Sequence, residues 1–212
     1  HYQHRSPARP DIPRSFLLDA GANRHGYASD ITRTWAREDG KVFSALISEM
    51  DALQQRLCGA VQAGVSFVDL HLQAHRGISH ILHHAGLVSM PAEEMVETGV
   101  SSYFFPHGLG HFVGVQVHDV NGQVDRTGQP LPPPEAYPAL RLTRPLAEGN
   151  VVTVEPGLYF IPMLLEQLKA SQYGDRIDWS MVDELTPFGG IRIEDNVVVT
   201  GSEPRNLTRQ AL

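Results

Sequence analysis

The chain has 212 residues, 42% hydrophobic and 19% charged, which is enough apolar material for a sizeable core and excludes a wholly disordered protein. The net charge of −7 argues against a protein that holds nucleic acid through phosphate contacts. The single cysteine excludes an internal disulfide framework, and no apolar run reaches the roughly 18 residues of a membrane-spanning helix.

The first half of the chain is predicted to form a β-hairpin followed by helices. Periodicity and turn signals predict the hairpin over 15–36 and helices over 41–63, 67–85 and 91–97. Gly64 and Gly86 end the first two helices. Ser66 with Asp69 three residues later is the capping pattern that begins the second helix, and Pro91 begins the third.

After residue 100 the sequence changes to the alternating pattern that is typical of strands. Strands are predicted through Val113, Val115 and Val117, through Val152 and Val154, and through Ile191, Ile193, Val197 and Val199. Two long segments interrupt them: a proline-rich one over 123–149, and one over 161–189 that holds a helical stretch around 164–168. The predicted fold class is therefore α+β, with a hairpin, helices and then antiparallel strands.

Two aspartates lie on the two arms of the predicted hairpin. If the turn is centred between Arg24 and His25, Asp19 and Asp30 are directly opposite, with Cβ atoms about 4.5–5.5 Å apart. Two facing carboxylates beside apolar strands are destabilising unless a cation lies between them. The alternative is a solvated hairpin face, or Asp30 as a turn or cap residue.

Two glutamates occur within strands of valine and isoleucine that should be buried. Glu155 and Glu194 are both in such strands, where glutamate is rarely found without a partner. Pro156 removes a backbone donor directly after Glu155, which indicates a strand end that faces a cavity. The alternative for Glu194 is an ion pair with Arg192, which projects to the same face of the strand.

Histidines supply the remaining candidates. His107 and His111 flank a Gly-Leu-Gly segment, and those glycines favour a shaped loop over a helical metal clamp. His118 would face away from His111 in a regular strand, so both reach one site only through a bulge or bend. Five further histidines are interpreted as the polar face of a helix: His71, His75, His80, His83 and His84.

Four carboxylates and one imidazole describe a hard, oxygen-rich site. This donor set suits Mn²⁺, and less selectively Co²⁺ or Zn²⁺, and argues against copper or iron–sulfur chemistry. Four carboxylates exceed what a single Zn²⁺ needs, and two metal ions balance their charge better. Such metal pairs hydrolyse substrates by positioning and deprotonating a bridging water.

The chain resembles the creatinase/aminopeptidase-P/prolidase family of pita-bread metallopeptidases in five motifs: Leu-Leu-Asp-Ala-Gly, Ser-Asp-Ile-Thr-Arg-Thr, His-Gly-Leu-Gly-His-Phe-Val-Gly, Glu-Pro-Gly-Leu-Tyr and Arg-Ile-Glu-Asp-Asn. The likeness covers the whole chain and is greatest to the bacterial Xaa-Pro dipeptidase (prolidase) branch and the related organophosphorus acid anhydrolases. It implies that 1–212 is the family's catalytic domain, a curved, mainly antiparallel sheet covered by helices. The family's N-terminal domain is expected to be absent from these residues.

The resemblance also implies a role for each matching residue. The ligands of two divalent metal ions would be Asp19, Asp30, His111, Glu155 and Glu194. His107 and His118 would contact the substrate and the tetrahedral intermediate, and Arg192 would orient the substrate. Glu155 is the candidate for handling the proton of the water. His1 resembles a further substrate-binding histidine of the active site.

The implied activity is hydrolysis of Xaa-Pro dipeptides by a water or hydroxide that bridges two divalent metals, most often Mn²⁺, in a cytoplasmic homodimer. No membrane or nucleic-acid partner is expected. Alternatives at the same site are aminopeptidase P-like cleavage of longer Xaa-Pro peptides and phosphotriester hydrolysis. An alternative of another class is a metal-free peptide-binding protein, which the presence of all five ligands disfavours.

Overall fold

The computed structural model of the protein describes residues 13–211, so the predicted role of His1 lies outside the described residues. The strands are β1 (Ser15–Ala20), β2 (Asn23–Arg24), β3 (Tyr27–Ala28), β4 (Ile31–Ala36), β5 (Val151–Val154), β6 (Gly157–Tyr159), β7 (Gly190–Arg192), β8 (Asp195–Val198) and β9 (Arg205–Asn206). The helices are α1 (Lys41–Gly59), α2 (Phe67–His84), α3 (Ala92–Glu97), α4 (Ser101–Phe104), α5 (Pro162–Ala170), α6 (Trp179–Leu185) and α7 (Leu207–Ala211). The predicted α+β class is confirmed.

The N-terminal hairpin has β1 and β4 as its arms and β2 and β3 as its tip. The tip turns at His25 and Gly26, whose φ angles of 53° and 87° are the left-handed values of a tight hairpin turn. The turn lies one residue further along than predicted, so Asp19 is opposite Thr32 and not opposite Asp30. Because the pairing moves by two residues, side-chain parity is unchanged, and Asp19 and Asp30 stay diagonal neighbours on one face.

Helices α1 and α2 each contribute six side chains to the hydrophobic core. They approach closely at Gly77, where a Cβ atom would lie 2.3 Å from Cδ1 of Leu53. The predicted starts of both helices are confirmed, and Ser66 caps α2 by accepting a hydrogen bond from the backbone N–H of Asp69 (3.4 Å). Helix α1 ends before its predicted end, since the N–H of Gly64 donates to Leu146 (2.8 Å) and not to the preceding turn. None of the described helices is both long and apolar enough to cross a membrane.

The second half of the described chain is built on antiparallel pairs. Strand β5 pairs with β8, β8 also pairs with β9, and β6 pairs with β7. The predicted strands through 152–154 and 191–199 are confirmed, with a break between β7 and β8 at 193–194. The segment 161–189 forms α5, α6 and two 3₁₀ turns, which confirms its helical stretch.

The predicted strand over 113–117 is wrong. This segment bends, and the N–H of Asp119 returns to donate to the carbonyl of Phe112 (2.9 Å). Gly114 permits the bend because a Cβ there would lie 2.2 Å from a carboxylate oxygen of Asp119. The alternating valines therefore do not line a sheet, and two of them, Val115 and Val117, are exposed.

Two histidines of α2 belong to the core and not to a polar helix face. His71 and His75 are each 1% exposed, and their Nε2 atoms lie 3.2 Å apart in a hydrogen bond. Nδ1 of His75 also lies 2.9 Å from the hydroxyl of Ser101. The interpretation as a polar face holds only for the exposed His80, His83 and His84. Burial lowers the pKa of His71 to about 3 and that of His75 to about 4, so both rings are neutral near pH 7.

We expect the buried pair His71 and His75 to lower the free energy of unfolding as the pH falls below about 6.5, the ordinary histidine pKa. Histidines of the unfolded chain take up protons there, whereas buried His71 and His75 stay neutral, so stability is lost by at most about 1.4 kcal/mol per pH unit for each ring. Denaturant unfolding between about pH 7 and about pH 5 measures this slope. His71→Gln should flatten it and His80→Gln, at an exposed position, should not. Equal slopes in both variants would contradict the prediction.

Candidate metal centre

The structure brings the five predicted ligands together from separate parts of the chain. Asp19 lies in β1, and Asp30 directly precedes β4. His111 lies at the end of the glycine loop, which we define as 107–111. Glu155 follows β5, and Glu194 lies between β7 and β8. Ligand atoms of Asp19, Asp30 and Glu194 lie within 4.8 Å of one another, and so do those of His111, Glu155 and Glu194. Glu194 belongs to both groups, so its carboxylate is placed where it could be shared by two cations.

The glycine loop is held against β5 by backbone contacts. A Cβ at Gly110 would lie 2.1 Å from the carbonyl oxygen of Thr153, so only glycine allows this approach. The N–H of His111 donates to the hydroxyl of Thr153 (3.0 Å), and the N–H of Glu155 donates to the carbonyl of Leu109 (2.8 Å). These bonds place the imidazole of His111 beside the carboxylate of Glu155.

A second set of contacts joins the hairpin to the segment around Glu194. The N–H of Glu194 donates to the carbonyl of Thr32 (3.0 Å), and the hydroxyl of Thr32 donates to the Glu194 carboxylate (2.7 Å). The side chain of Asn196 accepts from the N–H of Asp30 (3.1 Å) and donates to its carbonyl. Asp30 and Glu194 are therefore held side by side by backbone and side-chain bonds together.

The hydrogen bonds of His111 determine its tautomer. Nδ1 lies 2.9 Å from the carbonyl oxygen of Phe112, which can only accept, so Nδ1 carries the ring proton. Nε2 then presents a lone pair 3.6 Å from an oxygen of Asp30 and 3.5 Å from an oxygen of Glu155. Facing two carboxylates, Nε2 needs a positive charge beside it, either a proton or a bound cation. Burial is the largest single effect on His111 and lowers its pKa, but Asp30, the carbonyl of Phe112 and Glu155 together outweigh it and raise the pKa. A carbonyl partner for the other ring nitrogen is typical of histidines that bind metals.

The carboxylates show the same unmet demand for positive charge. Burial raises the pKa of Glu155 to about 7, and burial followed by the charge of Glu155 raises the pKa of Glu194 to about 9. Burial also raises the pKa of Asp19. Burial is the largest single effect on Asp30 and raises its pKa, but the combined effects of His111, Asp19 and His118 outweigh it and lower the pKa. Within the described chain, Oε1 of Glu194 is buried without a hydrogen-bond partner. This donor set fits hard divalent cations.

Arg192 contacts a different carboxylate from the one that the sequence suggested. Its guanidinium pairs with Asp19, lies 3.9 Å from Glu155, and donates to the hydroxyl of Tyr159 (3.2 Å). The alternative of an Arg192–Glu194 ion pair is therefore wrong, since Glu194 receives its bond from a threonine hydroxyl. Arg192 thus supplies positive charge to Asp19 and Glu155, whereas no arginine or lysine of the described chain forms an ion pair with Asp30 or Glu194.

Sequence reasoning did not single out Tyr159, which links Arg192 to His107. Nδ1 of His107 lies 2.8 Å from the carbonyl of Gly108 and carries the ring proton, so Nε2 accepts from the Tyr159 hydroxyl (2.8 Å). Burial lowers the pKa of His107 to about 4. His107 is thus a neutral ring whose Nε2 is already occupied. The signal for Tyr159 was its place in the Glu-Pro-Gly-Leu-Tyr motif, four residues after Glu155.

His118 reaches the centre through the bend at 113–119. Its ring centroid lies 4.3 Å from that of His111, edge to face, and its side chain is exposed. Nitrogen and oxygen atoms of Asp30, His111 and His118 lie within 4.8 Å of one another. Burial and then the neighbouring His111 lower the pKa of His118. His118 is therefore an accessible imidazole at the edge of the centre.

Comparisons with known proteins agree with this site and fold. The sequence profile of metallopeptidase family M24 matches residues 1–201. The chain is 53% identical over 211 residues to a Xaa-Pro dipeptidase of Marinobacter nauticus, and 51% identical over 214 residues to one of Aeromonas hydrophila. These alignments cover 99% and 100% of this chain but 48% of each relative, so the chain spans about half the length of the curated relatives it matches.

Solved structures show the same likeness. Proline aminopeptidase P II from Yersinia pestis matches 93% of this chain and 39% of its own, with a TM-score of 0.70 and 27% identity. Aminopeptidase P from Escherichia coli with the inhibitor Pro-Leu matches 93% of this chain and 38% of its own, with a TM-score of 0.70 and 28% identity. The pita-bread fold predicted from the sequence is confirmed.

Proposed function

This chain belongs to metallopeptidase family M24, and from that premise we propose that residues 1–212 form the catalytic domain of a metal-dependent Xaa-Pro dipeptidase. The observation that carries the proposal is the group of carboxylates and one imidazole around Glu194, whose buried oxygen has no partner in the described chain. The Xaa-Pro dipeptidases among its relatives support the substrate class. Because the chain spans about half the length of these relatives, the activity of the whole protein is part of the proposal.

The metal ligands in this proposal are Asp19, Asp30, His111, Glu155 and Glu194. They would hold two divalent cations, Mn²⁺ in preference to Co²⁺ or Zn²⁺, because four carboxylates make the site hard. Divalent cations bound there would lower the pKa of water at the site to about 7. Their positive charge would also stabilise negative charge on a carbonyl oxygen.

The side chains around the ligands divide the remaining tasks. Glu155, whose carboxylate lies 3.5 Å from Nε2 of His111, holds the proton taken from the attacking water. His118 is exposed beside His111 and assists at the leaving imide nitrogen. His107 stays neutral and contacts the substrate. Arg192 holds Asp19 and Tyr159, and anchoring of the substrate carboxylate by Arg192 stays a prediction.

A dipeptide that ends in proline suits such a site. Proline has no N–H, so a peptidase that relies on that donor loses a contact. An enzyme for dipeptides can bind the free amine near the carboxylates and the free carboxylate near a cationic side chain. We also propose that the whole protein is a cytoplasmic homodimer, which rests on the family resemblance alone. Cleavage of longer Xaa-Pro peptides is the second candidate function, because the similar solved structures are aminopeptidases P.

Two measurements on the full-length protein test the proposal: its metal content, and its rates of cleavage of a dipeptide and a tripeptide. Elemental analysis before and after chelation should find about two divalent metals per chain, and Mn²⁺ should restore cleavage of a Xaa-Pro dipeptide. A tripeptide with the same first two residues should be cleaved far more slowly. Equal cleavage of both peptides would favour the aminopeptidase P-like function. A protein that binds no metal would instead favour the peptide-binding alternative, and phosphotriester hydrolysis without peptide cleavage would favour that activity.

A further inference from the structure

A buried network of charged side chains lies directly behind the five ligands. Asp195 follows Glu194 in the chain, is fully buried, and pairs in the sheet with Val154, the residue before Glu155. One oxygen of its carboxylate accepts from Arg33 (2.7 Å). The other accepts from Asn206 and from Arg209, each at 2.7 Å. Asp195 thus joins the strand ends that carry two of the ligands to the C-terminal helix α7.

Arg33 connects this carboxylate to the hairpin. The same guanidinium that pairs with Asp195 donates to the backbone carbonyls of Thr32 and Glu194, each at 2.8 Å. The ion pair between Arg33 and Asp195 therefore fastens the short backbone bridge that holds Glu194 beside the hairpin.

Arg209 of α7 connects the carboxylate to helix α1 and to β5. Its guanidinium also donates to Asp51 (2.6 Å) and to the side-chain oxygen of Gln54 (3.0 Å). The amide of Gln54 donates to the carbonyl of Val154 (3.2 Å). Arg209 therefore acts on both backbone segments that carry glutamate ligands, without touching a ligand itself.

Helix α7 is also connected to the segment of Asp30. The hydroxyl of Thr208 accepts from the backbone N–H of Asn196 (2.9 Å), and the side chain of Asn196 holds the backbone of Asp30. Two consecutive residues of one short helix are thus tied, through Asp195 and Asn196, to the segments of three of the five ligands.

From these contacts we infer that Arg209 is a positioning residue of the metal centre, which acts through Asp195 and Gln54. The inference rests on the ligand set of the proposed function. Removing the guanidinium leaves the buried carboxylate of Asp195 short of positive charge, which is strongly unfavourable. The carboxylate must then move or admit water, and the adjoining backbone of Glu194 moves with it. Loss of a direct outer partner of a metal ligand typically weakens metal binding by about 10- to 100-fold. Arg209 lies one contact further out, so we expect the lower end of that range.

Binding of Co²⁺ to the full-length protein tests this inference, because the visible spectrum of Co²⁺ depends on its coordination geometry. Arg209→Gln should weaken Co²⁺ affinity by about 10-fold and change the spectrum. Arg209→Lys should recover part of the affinity. Lysine keeps the charge beside Asp195, but its single nitrogen does not reproduce the planar fork that also contacts Gln54.

Two control variants separate positioning from general destabilisation. Arg205→Gln removes an exposed arginine of β9, and Leu82→Ala destabilises the core of α2 away from the network. Both should show the wild-type affinity and spectrum. Wild-type binding by Arg209→Gln, or an equal loss in Leu82→Ala, would overturn the inference. A wild-type protein that binds no Co²⁺ would instead overturn the ligand set, and with it the proposed function.

Discussion

Removing divalent cations with a chelator is expected to lower the thermal denaturation midpoint of the protein by about 5–10 °C, and Mn²⁺ is expected to restore it. A ligand present at about 100 times its Kd stabilises the folded state by about 2.7 kcal/mol. In a chain of 150–250 residues each kcal/mol moves the midpoint by about 2–4 °C. The physical source is the crowding of four carboxylates into adjoining groups that share Glu194, which a cation relieves.

Without bound cations, the free energy of unfolding is expected to fall as the pH rises above about 7. The pKa values of Glu155 and Glu194, about 7 and about 9, lie above the ordinary value for glutamate. The contribution of these two carboxyl groups to stability is therefore fully present below about pH 4.5 and is lost as the pH rises through the raised values. Between about pH 7 and about pH 9 the buried histidines do not titrate. The free energy of unfolding should fall there by at most about 1.4 kcal/mol per pH unit for each carboxyl group.

Unfolding in chelator and in saturating Mn²⁺, at both ends of that pH range, checks the expectation. Bound Mn²⁺ should remove the slope, because it favours the ionised carboxylates at every pH in the range. Glu194→Gln should flatten the slope without metal and abolish the response to Mn²⁺. Glu166→Gln, at an exposed position of α5, should behave as the wild type. A cation-free protein whose stability stays constant or rises towards pH 9 would show that the carboxylates do not repel one another as described.

Replacing Glu155 by glutamine is expected to reduce hydrolysis of a Xaa-Pro dipeptide by about 10²- to 10⁴-fold, the range for loss of a general base. Glutamine has nearly the same shape and can keep the contact with the hydroxyl of Thr153 (3.4 Å), but it cannot take up a proton. It also removes one negative charge from the metal site. His118→Ala should lower kcat as well, while the metal content stays at the wild-type level, because the five proposed ligands remain.

These variants are compared in the full-length protein by kcat, KM and metal content. Glu166→Gln is again the matched control and should hydrolyse the dipeptide at the wild-type rate. If Glu155→Gln and His118→Ala both retain wild-type kcat, the assignment of the proton-handling groups is wrong. Loss of metal without loss of folded structure in Glu155→Gln would instead separate its role as a ligand from its role as a base.

The elements determined by local sequence were predictable. The periodicity of α1 and α2, the Ser66 cap, and the α+β class follow from residues that are close together in the chain. The five ligand candidates were also recognisable. Two aspartates on opposite arms of a hairpin, two glutamates in valine- and isoleucine-rich strands, and a histidine next to a Gly-Leu-Gly segment are chemically unusual. A two-residue change in hairpin pairing left Asp19 and Asp30 on one face, since side-chain parity repeats every two residues.

The tertiary structure alone decided which side chains meet. Arg192 pairs with Asp19, 173 residues away, and the hydroxyl of Thr32 reaches Glu194 across 162 residues. The bend that brings His118 to His111, the burial of the histidine pair in α2 and the contacts of Arg209 likewise depend on neighbours supplied by distant segments. Residue chemistry and local periodicity determined what each segment could contribute. Which side chains contact one another depends on how strand ends and helices pack, and no local sequence pattern determines that packing.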